Sequence, residues 1–181
     1  MSEPVASPVV DASSQFEDSL PISSLQMMRK LDELGISYKL HTHPPLRTVE
    51  DSRALRGDID GAHIKNLYLR DGKKKNFLVV AEESRPIDLK ELGQSIGAGR
   101  LSFGSPERLM EFLGVRPGAV SPLTLINDTE GHVTLVFDKT LEAAEAINVH
   151  PLVNDKTLTL STSGLRHFLD HTGHWDGRIA I

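Results

Sequence analysis

The run Ile64-Lys65-Asn66-Leu67-Tyr68-Leu69 places a cation inside an otherwise strand-like apolar stretch. Period-two alternation puts Lys65 on one face with Leu67 and Leu69, and Asn66 on the other with Ile64 and Tyr68. A lysine on an apolar face is desolvated unless something anionic meets it, and desolvation lowers its pKa. The same pattern also fits a lysine at the end of an edge strand that reaches back to water. A second polar concentration is Asn148-Val149-His150-Pro151-Leu152-Val153-Asn154, where several donors and acceptors gather at one spot. It can orient a substrate or simply satisfy its own turn. A third, Gly118-Ala119-Val120-Ser121-Pro122, offers backbone N–H groups beside a glycine turn. Such groups can cradle a carbonyl oxygen; the plain alternative is a proline-interrupted edge strand.

Other chemistries are closed. The 181 residues include no cysteine, which removes thiolate nucleophiles, disulfides, Fe–S clusters and cysteine-ligated zinc. No serine sits in a GxSxG elbow, and Gly104-Ser105-Pro106 reads as a helix cap. Among eight histidines, His41-x-His43 is a possible chelate, and His167-x-x-x-His171 shares a helical face with His174 close behind. No carboxylate stands at the HExxH spacing, and His171 precedes a helix end, where histidine is favourable anyway, so no metal is expected. There is no GxGxxG and no phosphate-binding GxxxxGK[ST]. Twenty basic against twenty-five acidic residues give a net charge of −5. That excludes a general polyanion binder, DNA included, and leaves local contacts through Lys73, Lys74, Lys75, Arg100 and Arg116.

The elements that must position these residues are well punctuated. Ser23 or Ser24 caps a helix that ends at Gly35, followed by a half-buried strand through Leu40. Thr48 caps a short helix closed by Gly57. Residues 64–69 and 77–81 form a hairpin about Asp71-Gly72, with Lys73, Lys74 and Lys75 at its tip. A helix over 88–96, a short strand at 101–103 and a helix from Ser105 to Gly114 follow. Residues 119–126 read as a broken strand, 133–137 as an alternating strand, and Asp138 as the cap of a helix through Ala146. A strand at 157–160 and a last helix capped by Ser163 complete the order. This pattern predicts an α+β fold: a single mixed, largely antiparallel sheet domain with flanking helices. Residues 1–22 are rich in Ser, Pro and acid and read as a flexible tail, leaving 23–181 as the domain. With no signal peptide and no run near the ~20 apolar residues of a membrane span, a cytoplasmic protein is expected.

Taken in order, these segments resemble the YbaK/prolyl-tRNA-synthetase-associated (ProX) editing domains. The resemblance is carried by Lys65-Asn66-Leu67-Tyr68-Leu69, Asp71-Gly72, Asp88-Leu89-Lys90, Arg100-Leu101-Ser102-Phe103-Gly104-Ser105, Leu113-Gly114, Pro117 through Pro122, and His150-Pro151-Leu152-Val153-Asn154. It spans roughly residues 23 to 174. Asn66 directly after the motif lysine resembles the free-standing ProXp-ala branch. The resemblance implies hydrolysis of mischarged Ala-tRNA(Pro), with proline excluded by pocket size, no cofactor and no protein nucleophile. The attack implied is by water, or with assistance from the terminal ribose hydroxyl. It implies catalytic roles for Lys65 as a cationic anchor, for the backbone at Gly118 as the oxyanion cradle, and for His150 as an orienting group. Asn66, Ala119, Val120, Ser121, Pro122 and Asn154 would contact the substrate. The implied partners are the acceptor end of tRNA(Pro) carrying alanine and prolyl-tRNA synthetase. Cysteinyl- or seryl-tRNA deacylation, and a non-catalytic module binding the acceptor end or a synthetase, are the alternatives.

Overall fold

The computed structural model describes residues 11–46 and 59–181. The helix expected over 48–57 lies outside the described residues.

Helix α1 (Ser24–Glu33) starts on a reciprocal cap. The Ser23 hydroxyl accepts from the Gln26 N–H, and the Gln26 side chain accepts from the Ser23 N–H. Its apolar stripe buries Met27, Met28 and Leu31. Strands β1 (Tyr38–Thr42), β2 (Ile64–Arg70) and β3 (Asn76–Glu82) follow. β2 and β3 form the expected hairpin. The Asp71 carboxylate accepts the Lys73 and Lys75 N–H groups, while Lys74 takes the left-handed conformation at φ 66°. Then come α2 (Leu89–Ser95), β4 (Ser102–Phe103) and α3 (Pro106–Leu113), capped by Asp88 and Ser105 at the two helix starts. Beyond them are β5 (Val133–Phe137), α4 (Lys139–Glu142), β6 (Ala146–Val149), β7 (Lys156–Ser161), α5 (Thr162–Thr172) and β8 (Ile179–Ala180).

The α+β class and the mostly antiparallel pairing are as expected, but the strands divide between two sheets. One is antiparallel throughout, in the order β1-β7-β6; the other runs β4-β2-β3-β5-β8. In the second, β3–β5 and β5–β8 are parallel, a crossover pairing that local alternation does not encode. A parallel bridge between Ala62 and Ile147 joins the sheets, backed by the Asn148 amide donating to the Asp60 and Ala62 carbonyls. Adjacent β3 residues serve different cores. Leu78 and Val80 enter the larger cluster with Met27, Phe137, Ile147, Leu158 and Phe168. Phe77, Val79 and Ala81 enter a smaller one with Leu69, Leu92 and Val136. Both faces are therefore buried, which explains the unbroken apolar run, each large side chain contributing about 1.5–3 kcal/mol.

Three local expectations are corrected. Residues 122–127 form a 3-10 helix (Pro122–Asn127) rather than a broken strand. Pro122 cannot donate to a ladder but suits a first helical turn, and the Ser121 hydroxyl caps that turn by accepting from Leu123 N–H. The helix after Asp138 ends at Glu142, because Ala146 is already in β6. The last helix is capped by Ser161, not Ser163, through the Gly164 N–H.

The largest correction concerns residues 11–22, expected as part of a flexible tail. They are docked. Ala12 is 4% exposed and belongs to the larger core, and Ser14–Ser19 form a 3-10 helix. The Glu17 carboxylate accepts from the Ser24 N–H and hydroxyl, and the Arg116 guanidinium lies 5.1 Å from the centre of the Phe16 ring. Composition reads these residues as polar and unpatterned because much of their fixation comes from backbone and short polar groups. Residues 1–10 lie outside the described residues.

Candidate active site

Gly118 begins the site. Its φ of +97° is a conformation that L side chains rarely adopt, so glycine is required by the backbone itself. A Cβ placed there would stand 3.5 Å from Asn154 Nδ2 and 3.8 Å from the Ala12 methyl. Three distant segments of chain therefore meet at this point. In the turn, the Ala119 N–H donates to the Arg116 carbonyl at 3.2 Å and is spent. The N–H groups of Gly118, Val120 and Ser121 have no protein partner among the described residues. Unpaired N–H groups along a turn form a small electropositive concavity suited to an oxygen anion.

Asn154 faces that turn. It is 3% exposed, and its Oδ1 is buried without a hydrogen-bond partner among the described residues. An unpaired buried amide oxygen costs about 1–3 kcal/mol and is open to a hydrogen bond from a donor that reaches it. The backbone around it is held firmly. The Asn154 N–H donates to the Ala12 carbonyl, Leu46 N–H to the Asn154 carbonyl, and His43 N–H to the Asp155 carbonyl.

His150 lies at the same end of the three-stranded sheet, just past β6. Its Nδ1–H donates to the Lys156 carbonyl at 2.9 Å. A carbonyl only accepts, so in the neutral ring the lone pair is on Nε2. Burial, reinforced by nearby His43, lowers its pKa below the ordinary 6.5, although the Lys156 bond and Asp155 oppose this. The imidazole is thus held neutral at pH 7 with an acceptor free on Nε2. The His43 ring stands 6.4 Å away, its own nitrogens bonded to the Pro44 carbonyl and the Thr157 hydroxyl. His41 bonds the Thr159 hydroxyl, so the two histidines of the His-x-His pair serve separate threonines.

Lys65 and Asn66 point to opposite sides of β2, as alternation predicts. Lys65 shares its face with Leu67 and Leu69, opposite Ala81, and its Nζ donates to the Arg85 carbonyl. Arg85 is held in turn by Asp138, which is fully buried. Burial alone would raise the Asp138 pKa; bonds from Glu82 N–H and from Thr140, with Arg85 nearby, outweigh it and lower the pKa. Lys65 therefore keeps two N–H donors for another partner. Asn66 faces the larger cluster with Ile64 and Tyr68, and its Oδ1 is buried without a partner among the described residues. The structure sets Asn154 against Gly118, places His150 four residues earlier at the start of the same β6–β7 connection, and gives Lys65 its described hydrogen bond elsewhere, at Arg85. Ala119 and Ser121 are fully buried, and Pro122 is buried with them. The Ser121 hydroxyl is spent on its cap, so its unpaired N–H is what remains for a ligand. Sequence reasoning missed Ala12, Ser14 and Asp155 as neighbours of the site. No local pattern marks them, since they arrive by tertiary docking.

Residues 43–168 match the aminoacyl-tRNA editing domain. The chain belongs to that family. As a member it is an aminoacyl-tRNA hydrolase. It is 40% identical over 151 residues to the prolyl-tRNA editing protein ProX of Acetoanaerobium sticklandii, covering 82% of this chain and 91% of that protein. It is 35% identical over 159 residues to the prolyl-tRNA synthetase associated domain-containing protein 1 of Danio rerio, covering 84% and 86%. A solved structure described as a trans-editing enzyme for prolyl tRNA synthetase shares the fold, with a TM-score of 0.63 at 20% identity, covering 87% of this chain and 94% of the other. Among the described residues of this family member, no helix is long and apolar enough to cross a membrane.

Proposed function

We propose that this editing domain removes alanine from mischarged tRNA(Pro), acting on the free aminoacyl-tRNA in the cytoplasm. The observation that carries the reading is the left-handed Gly118 turn with its unpaired N–H groups, faced by the buried Asn154 side chain, whose Nδ2 stands 3.5 Å from where a Gly118 Cβ would lie and whose Oδ1 has no partner among the described residues. The likeness to ProX of A. sticklandii supports the link to proline decoding.

In this reading the aminoacyl carbonyl oxygen lies in the concavity of the Gly118, Val120 and Ser121 N–H groups. A water oxygen adds to that carbon, the oxyanion is held by the N–H groups, and as it collapses the bond to the ribose oxygen breaks, that oxygen taking the proton the water gives up, so that free alanine and deacylated tRNA(Pro) leave. His150 Nε2 accepts a hydrogen bond from the attacking water or the neighbouring ribose hydroxyl and orients it. Lys65 supplies charge to the terminal phosphate or ester, and Asn66 orients the acyl group. Ala119, Val120 and Pro122 give the turn its apolar wall. In this reading the methyl of the acyl group is taken between Ala12 and Asn154, where they face Gly118, and the larger pyrrolidine ring is turned away. Such a second sieve is needed because a prolyl-activating pocket cannot strongly reject a smaller side chain; each missing methylene is worth only about 1–3 kcal/mol.

The test is a deacylation panel: alanyl-, cysteinyl-, seryl- and prolyl-tRNA(Pro) with the wild type and Lys65→Ala. Rapid loss of alanine, sparing of proline and a large defect in the variant are expected. Faster loss of cysteine or serine would move the substrate within the family, and no hydrolysis of any species would sink the enzyme reading for this chain.

A further inference from the structure

The docked N-terminal segment passes over the turn that carries Asn154. Its contacts there are numerous for so short a stretch. The Ala12 carbonyl accepts the Asn154 N–H at 2.9 Å. The Ser14 N–H and Oγ both donate to one oxygen of Asp155, at 3.1 and 2.5 Å. Downstream, Glu17 is bonded to Ser24, and the Ser24 hydroxyl also accepts from Lys156 Nζ, so the segment is tied at both ends to the elements flanking the turn. On the other side of the turn, His43 and Leu46 donate to the Asp155 and Asn154 carbonyls.

The turn is therefore gripped from two sides; among the described residues its ungripped groups are the Asn154 side chain and the second Asp155 oxygen, and the Asn154 amide is the one that faces Gly118. We propose that residues 12–14 are a positioning element of the editing site. In it Ser14, by clasping Asp155, fixes the direction in which the Asn154 amide meets the aminoacyl group. The inference rests on the proposed deacylase reading. The physical reason is geometric. A carboxylate that accepts two bonds from one residue cannot rotate without breaking both, and Asp155 is the next residue after Asn154. An amide set by its neighbours costs no reorganisation when the transition state forms, so its misdirection is felt in the chemical step more than in binding.

The experiment compares wild type, Ser14→Ala and Ser14→Thr on alanyl-tRNA(Pro), with Tm measured for each. Ser14→Ala should lower kcat/KM by about tenfold, mostly in kcat, which corresponds to one broken charge-assisted bond. Ser14→Thr keeps an Oγ and should recover most of that loss. The Tm of both should lie within a few degrees of wild type. Asp155→Ala should lower kcat similarly, and the Ser14→Ala/Asp155→Ala double variant should be no worse than the Asp155 variant alone, because one contact is removed twice. If wild type deacylates alanyl-tRNA(Pro) and Ser14→Ala does so within twofold, this inference falls and the functional reading stands. A kcat loss that Ser14→Thr does not recover, or a collapse of Tm in Ser14→Ala, would make the segment a fold element only and overturn it as well. No hydrolysis by the wild type removes the functional reading first, and this inference with it.

Discussion

Replacing Gly118 by alanine tests the site at its narrowest point. At φ +97° the substitution is strained wherever the methyl points. The left-handed cost for an L-residue is about 1–2 kcal/mol. Space adds little, since the new methyl would meet Asn154 Nδ2 at 3.5 Å and the Ala12 methyl at 3.8 Å, both ordinary contact distances. In a chain of this size 1 kcal/mol shifts Tm by about 2–4 °C, so thermal unfolding should fall by about 2–8 °C. The effect on deacylation should be out of proportion. If the turn holds, the methyl occupies space between Ala12 and Asn154 that the reading gives to the substrate. If the turn relaxes, the N–H groups of Gly118, Val120 and Ser121 swing away from the oxyanion. Loss of such donors costs about 100-fold or more in kcat. The assay is single-turnover deacylation of alanyl-tRNA(Pro) beside differential scanning calorimetry. A Tm drop of the stated size with kcat/KM within threefold of wild type would show that Gly118 serves only its turn, and the reasoning would be wrong.

Asn154→Ala should lower kcat/KM by about tenfold or more while costing under about 1 kcal/mol of stability, because the amide oxygen it removes has no partner among the described residues; a large loss of Tm with normal activity refutes this. The pH profile of kcat/KM should be flat through pH 7 and fall on the acid side with a midpoint below 6.5, since burial depresses His150 and protonation removes the Nε2 acceptor. A midpoint at or above 6.5, or a profile in His150→Ala that keeps the same limb, would contradict it. Away from the site, His174 Nε2 meets Asp128 at 2.8 Å with both side chains buried. His174→Ala should cost about 1.5–3 kcal/mol and lower Tm by several degrees without a specific defect in kcat. Burial would by itself raise the Asp128 pKa, but bonds from His174 and from the Val133 and His132 N–H groups lower it below 3.8. The stabilisation is therefore present at neutral pH and lost as pH falls through that lowered value. The Tm gap between wild type and Asp128→Asn should accordingly close as the solution is acidified below pH 3.8.

What the amino-acid order determined by itself was local. Ser23, Ser105 and Asp138 cap helices as expected, Asp88 caps the helix expected over 88–96, and Gly114 takes the left-handed stop, because capping is settled within four residues. The β2–β3 hairpin and the opposed faces of Lys65 and Asn66 followed from alternation about a short turn. Gly118, His150 and Asn154 were legible as polar groups beside turns, and the family resemblance supplied their order. Tertiary structure decided the rest. The parallel β3–β5 and β5–β8 pairings join strands far apart in the chain, where sequence pattern is silent about partners. Ser121 proved to be a cap rather than a free hydroxyl once Pro122 began a helical turn. Residues 11–22 were the least legible. Their docking rests on the Ala12 carbonyl, the Ser14 N–H and hydroxyl and the Glu17 carboxylate, groups with no hydrophobic period to announce them. Their value depends on where Asn154, Asp155 and Ser24 stand after folding.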